Sequence, residues 1–139
     1  MNTFFFAVAI CLPLRYLQVT SAYGNRIHPV TGDYRYHEGV DLKASYDTVY
    51  AIFDGMLTTN YNTKLGIYLQ LRNGPFTITY GHLSQVLATD SVSAGAAIAI
   101  SGATGRVTGP HLHFAVQFNH HYIDPLAFLS ATYQQISKP

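Results

Sequence analysis

The chain has 139 residues, which is enough for one ordinary domain with a sizeable apolar core. Only 11% of the residues are charged, the net charge is +1, and Lys and Arg do not cluster along the sequence, so no electrostatic footprint for nucleic acid is visible. The single cysteine, Cys11, excludes an intramolecular disulfide and any metal site built from several cysteines.

The chain begins with an apolar segment, residues 1–13. Its apolar run is too short for a membrane span, which needs about 20 residues, and has the length of a signal-peptide core. No Lys or Arg precedes the run and no small-residue cleavage site follows it directly, so a secretion signal and a structural segment both stay open. We expect one domain over residues 14–129 and a polar tail over residues 130–139.

From residue 14 onward, short β-branched and aromatic runs alternate with Gly, Pro and Asn turns, which is typical of β-strands. Asp54-Gly55 and Asn73-Gly74 are typical hairpin turns, and residues 119–122 are expected at a third hairpin tip. The pattern predicts an all-β, mainly antiparallel domain, either a sandwich or a partly open barrel. We expect strands at 14–20, 48–53, 66–72, 76–80, 96–100 and from Leu112 onward, and irregular connections at 21–32, 60–64 and 86–95. A short apolar segment at 123–129 is expected to close the domain.

Two histidines open the last strand, in the order His111-Leu112-His113-Phe114. Side chains alternate along a strand, so both imidazoles lie on one face and Leu112 and Phe114 on the other. Two β positions span roughly 6.5 Å, which lets both histidines converge on one point. For this motif alone, a solvated strand face is the favoured interpretation, and the other motifs of the chain change that balance.

Two further groups offer metal-ligand or acid–base chemistry. His37 and Asp41 are both ligand types that zinc accepts, and Gly39 argues against a helix, so a loop or a bulged strand end is expected to bring them together. His82 is expected at a strand end beside Gly81, exposed in a cleft; the alternative is a structural histidine. His28 precedes a proline and is expected in a loop lining a cleft, whereas the adjacent pair His120-His121 points to opposite faces and chelates poorly.

Four ordered segments closely resemble the lysostaphin/LytM-like family of zinc metallopeptidases, which cut peptide bonds in bacterial peptidoglycan. The likeness extends over residues 14–129, and one departure is the absence of Gly and Pro in the turn at residues 47–49, which we expect to be shorter. The segments are Ser21-x-Tyr23-Gly24-x-Arg26 with Pro29 and Gly32, His37-x-Gly39-x-Asp41, Tyr80-Gly81-His82-Leu83, and Gly102-x-Thr104-Gly105 followed by Thr108 to Phe114 and Asp124-Pro125.

The resemblance implies that His37, Asp41 and His113 bind one zinc ion per chain and that His82 and His111 are catalytic. It also implies an antiparallel β-sheet fold with the active site in a groove, a peptidoglycan peptide as partner, and a secreted, periplasmic or envelope-associated protein. We expect a monomer. Two imidazoles and a carboxylate leave one coordination position for a water, whose pKa zinc lowers to about 7.

Three alternative interpretations are disfavoured by particular residues. A non-catalytic binding or regulatory domain on the same fold is disfavoured because all five site positions are filled. A sugar-transport phosphocarrier domain also uses paired histidines, but a phosphorylated histidine needs no partner like Asp41. Glu38 as the general base, in the manner of helical zinc peptidases, is disfavoured by Gly39, which argues against that helix.

Overall fold

The computed structural model describes residues 10–27 and 31–137, without the side chains of residues 133–137. His28, Pro29 and residues 1–9 of the apolar segment therefore lie outside the described residues. No helix in the described part is long and apolar enough to cross a membrane. The elements are β1 (Val19–Ser21), β2 (Gly24–Ile27), β3 (Tyr34–His37), β4 (Val40–Leu42), β5 (Thr48–Tyr50), β6 (Gly55–Asn62), β7 (Gly66–Asn73), β8 (Phe76–Val86), β9 (Asp90–Val92), β10 (Ala97–Ser101), β11 (Leu112–Phe118), β12 (His121–Ile123) and α1 (Pro125–Ser137).

Ten of these strands form one antiparallel sheet, which confirms the predicted all-β, mainly antiparallel class. The path through the sheet is β1-β4-β11-β8-β7-β6-β9, with β10 beside β8 and β5, and β12 beside β11. The strands at the two ends of this path do not pair with each other, so the sheet stays open and forms no closed barrel. Strands β2 and β3 form a separate two-stranded hairpin.

The apolar core fixes which way the central strands face. Leu42 lies opposite Leu112, and Val40 lies opposite Phe114, across the pairing of β4 with β11. All four side chains have no solvent-exposed area. Because side chains alternate along a strand, burial of these residues sends the residues between them to the opposite face of the sheet.

Several local predictions are confirmed. Strand β7 buries Leu69 and Leu71 completely, and the turn at Asn73-Gly74 joins it to β8, with Gly74 at a φ of 54°. The tip of the hairpin between β11 and β12 is Asn119-His120, whose φ angles of 47° and 66° suit a tight hairpin turn.

The predicted hairpin at Asp54-Gly55 is wrong. Strand β5 pairs with β10, and β6 pairs with β7 and β9, so no hairpin joins β5 to β6. A Cβ on Gly55 would lie 2.4 Å from the carbonyl oxygen of Arg72, so this glycine allows close strand approach. Asp54 Oδ1 accepts a hydrogen bond from the N–H of Ala94 at 2.7 Å. This bond connects the segment between β5 and β6 to the segment between β9 and β10.

Other element boundaries also differ from the expected ones. The strand expected at 14–20 is confined to Val19–Ser21, and the loop expected at 21–32 contains strand β2. The connection expected at 86–95 contains β9, which pairs with the edge of β6. These short strands carry little hydrophobic alternation, so tertiary pairing rather than local pattern defines them.

The apolar segment that closes the domain leads into helix α1. Asp124 Oδ1 accepts hydrogen bonds from the N–H groups of Leu126 at 3.0 Å and Ala127 at 3.4 Å, which makes Asp124 the N-cap of α1. Pro125 occupies the first helical position, where a missing N–H costs nothing. The helix continues through Ser137, so the tail expected from residue 130 is helical over most of its length.

Candidate functional site

Three adjacent strands bring site residues into one row. His113 of β11 lies directly opposite Asp41 of β4 on one side and Gly81 of β8 on the other. Residues directly opposite in an antiparallel pair share a face, with Cβ atoms about 5 Å apart. Asp41 and His113 therefore lie side by side on the face of the sheet opposite the buried Leu42 and Leu112.

His37 reaches the same point from the end of β3. A bend at Glu38-Gly39 separates β3 from β4, so His37 and Asp41 converge although they are four residues apart. A Cβ on Gly39 would lie 2.5 Å from the carbonyl oxygen of Phe114 and 3.0 Å from Cε1 of His113. Only glycine therefore allows the bend to pack this closely against the His113 ring.

The side-chain atoms of His37, Asp41 and His113 form a small triangle. Nε2 of His37 lies 3.4 Å from Asp41 Oδ1 and 3.4 Å from His113 Nδ1, and His113 Nδ1 lies 3.2 Å from Asp41 Oδ1. Tetrahedral zinc, with bonds of about 2.0–2.2 Å, separates its nitrogen and oxygen ligands by roughly 3.4 Å. The donor atoms and their spacing therefore suit a zinc ion, and this trio is a possible metal site.

The hydrogen-bond partners of the triangle also favour a cation. Nδ1 of His37 lies 3.0 Å from the carbonyl oxygen of Ala22, to which it must donate, so Nε2 carries the lone pair that faces Asp41. Burial raises the pKa of Asp41, but the neighbouring imidazoles of His113, His37 and His111 more than offset this and hold that pKa below its usual range. An ionised carboxylate and an imidazole lone pair facing each other repel unless a positive charge lies between them.

His82 enters the groove through a bulge in β8. Ile67 of β7 pairs with Leu83 of β8, and Leu69 pairs with Tyr80, so β8 has one extra residue between these two pairs. His82 lies in this bulge with a φ of 60°. A regular strand would put His82 on the same face as the buried Tyr80, whereas the extra residue turns it toward the groove. The strand end expected at residue 80 is wrong, because β8 continues to Val86, and His82 is only 5% exposed.

The imidazole of His82 is held in one orientation. Nδ1 lies 2.8 Å from the carbonyl oxygen of Thr104 and must donate to it, so Nε2 carries the free lone pair. Burial, with smaller contributions from the neighbouring His111 and His113, lowers the pKa of His82 to about 4 against the opposing effects of the Thr104 carbonyl and Asp41. His82 is therefore neutral at neutral pH.

His111 lies just before β11, where an isolated bridge pairs it with Gly102. Its Nδ1 donates to the carbonyl oxygen of Gly109 at 3.1 Å, which leaves Nε2 pointing into the site, 3.6 Å from Asp41 Oδ1. Its ring centre is 4.7 Å from that of His82. The structure thus brings together all five residues that the sequence nominated.

The remaining nominated side chains stand apart from this cluster. Glu38 lines the groove near Tyr122, whose pKa is raised first by burial and then by the charge of Glu38. His120 and His121 are exposed at the hairpin tip of β11 and β12.

The groove has a volume of about 460 Å³. Its rim is cationic, which the sequence pattern did not predict. Lys and Arg do not cluster along the sequence, but four of them line this groove: Arg26, Arg35, Lys64 and Arg106. Only the position of Arg26 within a family-like motif could have drawn attention to it.

Known proteins resemble this chain in sequence and in fold. Residues 35–125 match the model of peptidase family M23. The chain is 38% identical over 119 residues to the peptidoglycan DD-endopeptidase ShyC of Vibrio cholerae, a match covering 81% of this chain and 28% of ShyC. This chain therefore spans only about 28% of the length of that curated relative.

Two solved structures superpose on most of the chain. A zinc-containing peptidase from Vibrio cholerae has a TM-score of 0.71 and 35% identity, covering 85% of this chain and 38% of that one. The catalytic domain of the antimicrobial peptidase lysostaphin from Staphylococcus simulans has a TM-score of 0.71 and 29% identity, covering 82% of this chain and 92% of that domain. The chain therefore belongs to peptidase family M23, within the lysostaphin-like group that its motifs indicated.

Proposed function

We propose that this chain is a zinc-dependent endopeptidase that cuts peptide bonds in bacterial peptidoglycan. His37, Asp41 and His113 would hold one zinc ion, and His82 and His111 would be the catalytic side chains. The relatives support the proposal, because one is named a peptidoglycan DD-endopeptidase and another a zinc-containing peptidase. The triangle of donor atoms, with edges of 3.2–3.4 Å, is the observation that carries it.

Each histidine has a part that follows from its hydrogen bonds. Zinc in a three-ligand site supplies a water nucleophile at neutral pH and polarises a carbonyl. His82, neutral and donating through Nδ1 to Thr104, offers Nε2 as a proton acceptor. His111 offers its own Nε2 3.6 Å from Asp41, where it can take up a proton and donate it to an oxyanion or a leaving amine.

The backbone carbonyls make this arrangement rigid. Thr104 and Gly109 each accept the Nδ1 proton of one catalytic imidazole, so neither ring needs to rotate during proton transfer. Thr104 is itself fixed, because its hydroxyl donates to the carbonyl of Leu83 at 2.6 Å and accepts from the N–H of Ile67 at 3.1 Å. Such preorganisation lowers the cost of reaching the transition state.

The wider setting follows from the same proposal. Residues 14–129 would form the catalytic domain and act as a monomer on wall peptides, in a secreted, periplasmic or envelope-associated protein. All five site residues line the groove, so a peptide bound in it would lie against them.

Muropeptide mass spectrometry tests the proposed function. Purified zinc-loaded protein is incubated with cell walls of several cross-link types, and released fragments are analysed for new amino ends and new reducing sugar ends. We expect cross-linked muropeptides to be split with new amino ends and the glycan strands to stay intact. The His113→Ala variant serves as the matched inactive control.

Two outcomes would contradict the proposal. New reducing sugar ends without new amino ends would identify a glycosidase instead. Binding of zinc and wall peptides without cleavage of any wall type would identify a non-catalytic binding domain on the same fold.

A further inference from the structure

The cationic rim of the groove comes from two separate parts of the chain. Arg26 and Arg35 lie on the hairpin of β2 and β3, whereas Lys64 and Arg106 meet where the Arg106 N–H donates to the Lys64 carbonyl at 3.0 Å. Among the residues that the structure describes, none of the four forms an ion pair with a carboxylate. Glu38 lines the same groove and, in the described part of the chain, forms no ion pair with any of the four.

Arg26 and Arg35 stand out within this rim because they are register partners. They lie directly opposite each other in the antiparallel pairing of β2 with β3, and both line the groove. Directly opposed residues share a face, and like charges in that position are unfavourable. Two arginines in this place are therefore best explained by an anion that lies between or above them.

A second observation points the same way. Nε of Arg26 is shielded from solvent and has no hydrogen-bond partner among the described residues. A buried donor without a partner is costly, and a guanidinium is built to satisfy its N–H groups on a planar carboxylate through two parallel hydrogen bonds. The unpaired N–H of Arg26 Nε is therefore available to donate one of the two hydrogen bonds in such a contact.

We propose that Arg26 and Arg35 form a carboxylate-binding subsite that makes the enzyme prefer acidic peptides, with a free carboxylate flanking the scissile bond. This inference rests on the proposed peptidase function and adds a substrate class to it. A substrate whose flanking groups are uncharged, such as a glycine-rich bridge, would leave both guanidinium groups unpaired. Lys64 and Arg106 add a positive field that attracts the same class of substrate.

A matched pair of substrates tests the subsite. The zinc-loaded protein is given a cross-linked stem-peptide dimer with free carboxylates, and the same dimer with those carboxylates converted to carboxamides. We expect kcat/KM for the free acid to exceed that for the amide by roughly 10-fold to 100-fold, mostly through KM, because hydrogen bonds to charged groups are the stronger kind. Arg26→Gln and Arg35→Gln should each bring this ratio toward one.

Three controls separate specificity from folding. Arg72→Gln removes the same charge from an exposed strand position outside the groove and should keep the preference. Arg35→Lys keeps the positive charge but lacks the planar guanidinium group, so it should retain part of the preference for the free acid. Zinc content and the melting temperature of Arg35→Gln should equal or exceed those of the unmodified protein, since the substitution relieves a like-charge contact.

The outcomes also separate this inference from the proposed function. Equal cleavage of both dimers, or a preference that survives in Arg26→Gln and Arg35→Gln, would overturn the subsite while leaving the peptidase intact. If neither dimer is cleaved, the peptidase proposal fails, and calorimetric binding of the same two dimers then decides the subsite. Tighter binding of the free acid that is lost in both variants supports it, and equal binding contradicts it.

Discussion

Asp41 and His113 face each other across strands β4 and β11, and their Oδ1 and Nδ1 atoms lie 3.2 Å apart. The pairing register alone puts them on the same face of the sheet, and the buried Leu42 and Leu112 beside them prevent a slip. Two central strands with a fully buried opposite face thus position two of the three proposed metal ligands. The position of the third proposed ligand, His37, depends on the bend at Glu38-Gly39.

Loss of the carboxylate should remove the metal. Asp41→Asn keeps the shape of the side chain but replaces an anionic ligand with a neutral one. We expect zinc content to fall well below one per chain together with activity, since the ligand set sets the affinity. Elemental analysis of the purified variant checks this, with the exposed Asp90→Asn as the control. Full zinc occupancy in Asp41→Asn would remove Asp41 from the ligand set.

The two histidines at the start of β11 should differ in what they lose. His113→Ala should lose zinc and activity together, whereas His111→Ala should keep zinc and lose roughly 10²–10⁴-fold in kcat if it acts as a general acid or base. His82→Ala should behave like His111→Ala, and the double variant should lose less than the product of the two single losses, because groups acting on one step are not additive.

Metal content and turnover per folded molecule measure these differences. Zinc lost from His111→Ala but retained in His113→Ala would mean that the two roles are reversed. A lower melting temperature with unchanged turnover of the folded fraction would give His111 a structural role only.

The bend at Gly39 should tolerate no side chain. In Gly39→Ala the new Cβ would lie 2.5 Å from the Phe114 carbonyl and 3.0 Å from the His113 ring, so backbone or ring must shift. We expect about 1–3 kcal/mol of destabilisation, typical of overpacking, together with weaker zinc binding. Gly109→Ala is the matched control, because a Cβ there meets nothing within 4 Å. Equal stability and zinc affinity in the two variants would show that close packing at Gly39 is unimportant.

His82 should titrate far below an ordinary histidine. Burial lowers its pKa to about 4 in the folded chain, from an unperturbed value of 6.5. The unfolded chain therefore binds more protons between these values, so the stability that neutral His82 contributes is complete above about pH 6.5 and is lost as the pH falls toward 4.

Imidazole resonances of the zinc-free protein test this directly by NMR, with His82→Ala used to assign the signal. The His82 midpoint should lie near 4. The pH dependence of unfolding between pH 4 and 6.5 should be weaker in His82→Ala. A His82 midpoint near 6.5 would contradict the burial argument.

The sequence was most informative where local pattern and tertiary structure agree. Alternation around His111 and His113 predicted both their shared face and the burial of Leu112 and Phe114, because period-two patterning survives in a central strand. The bend at Gly39 was also foreseeable, since a glycine between two ligand types invites a break in the strand.

Other features depend on contacts between distant segments. The bulge that turns His82 into the groove comes from the register of β8 against β7, and nothing near residue 82 encodes it. The pairing of Arg26 with Arg35 requires the hairpin of β2 and β3, whose four-residue strands are too short for the sequence to specify their register. The helix cap at Asp124-Pro125 did have a sequence signal, an N-cap residue followed by proline before an apolar run.

Zinc titration coupled to cleavage tests the central claim most directly. Zinc is added stepwise to metal-free protein while the release of new amino ends from a purified cross-linked muropeptide is measured, and Asp41→Asn is run in parallel. Cleavage should rise in proportion to added zinc, level off at one zinc per chain, and stay absent in the variant. Cleavage that is complete before zinc is added, or equal in Asp41→Asn, would contradict it.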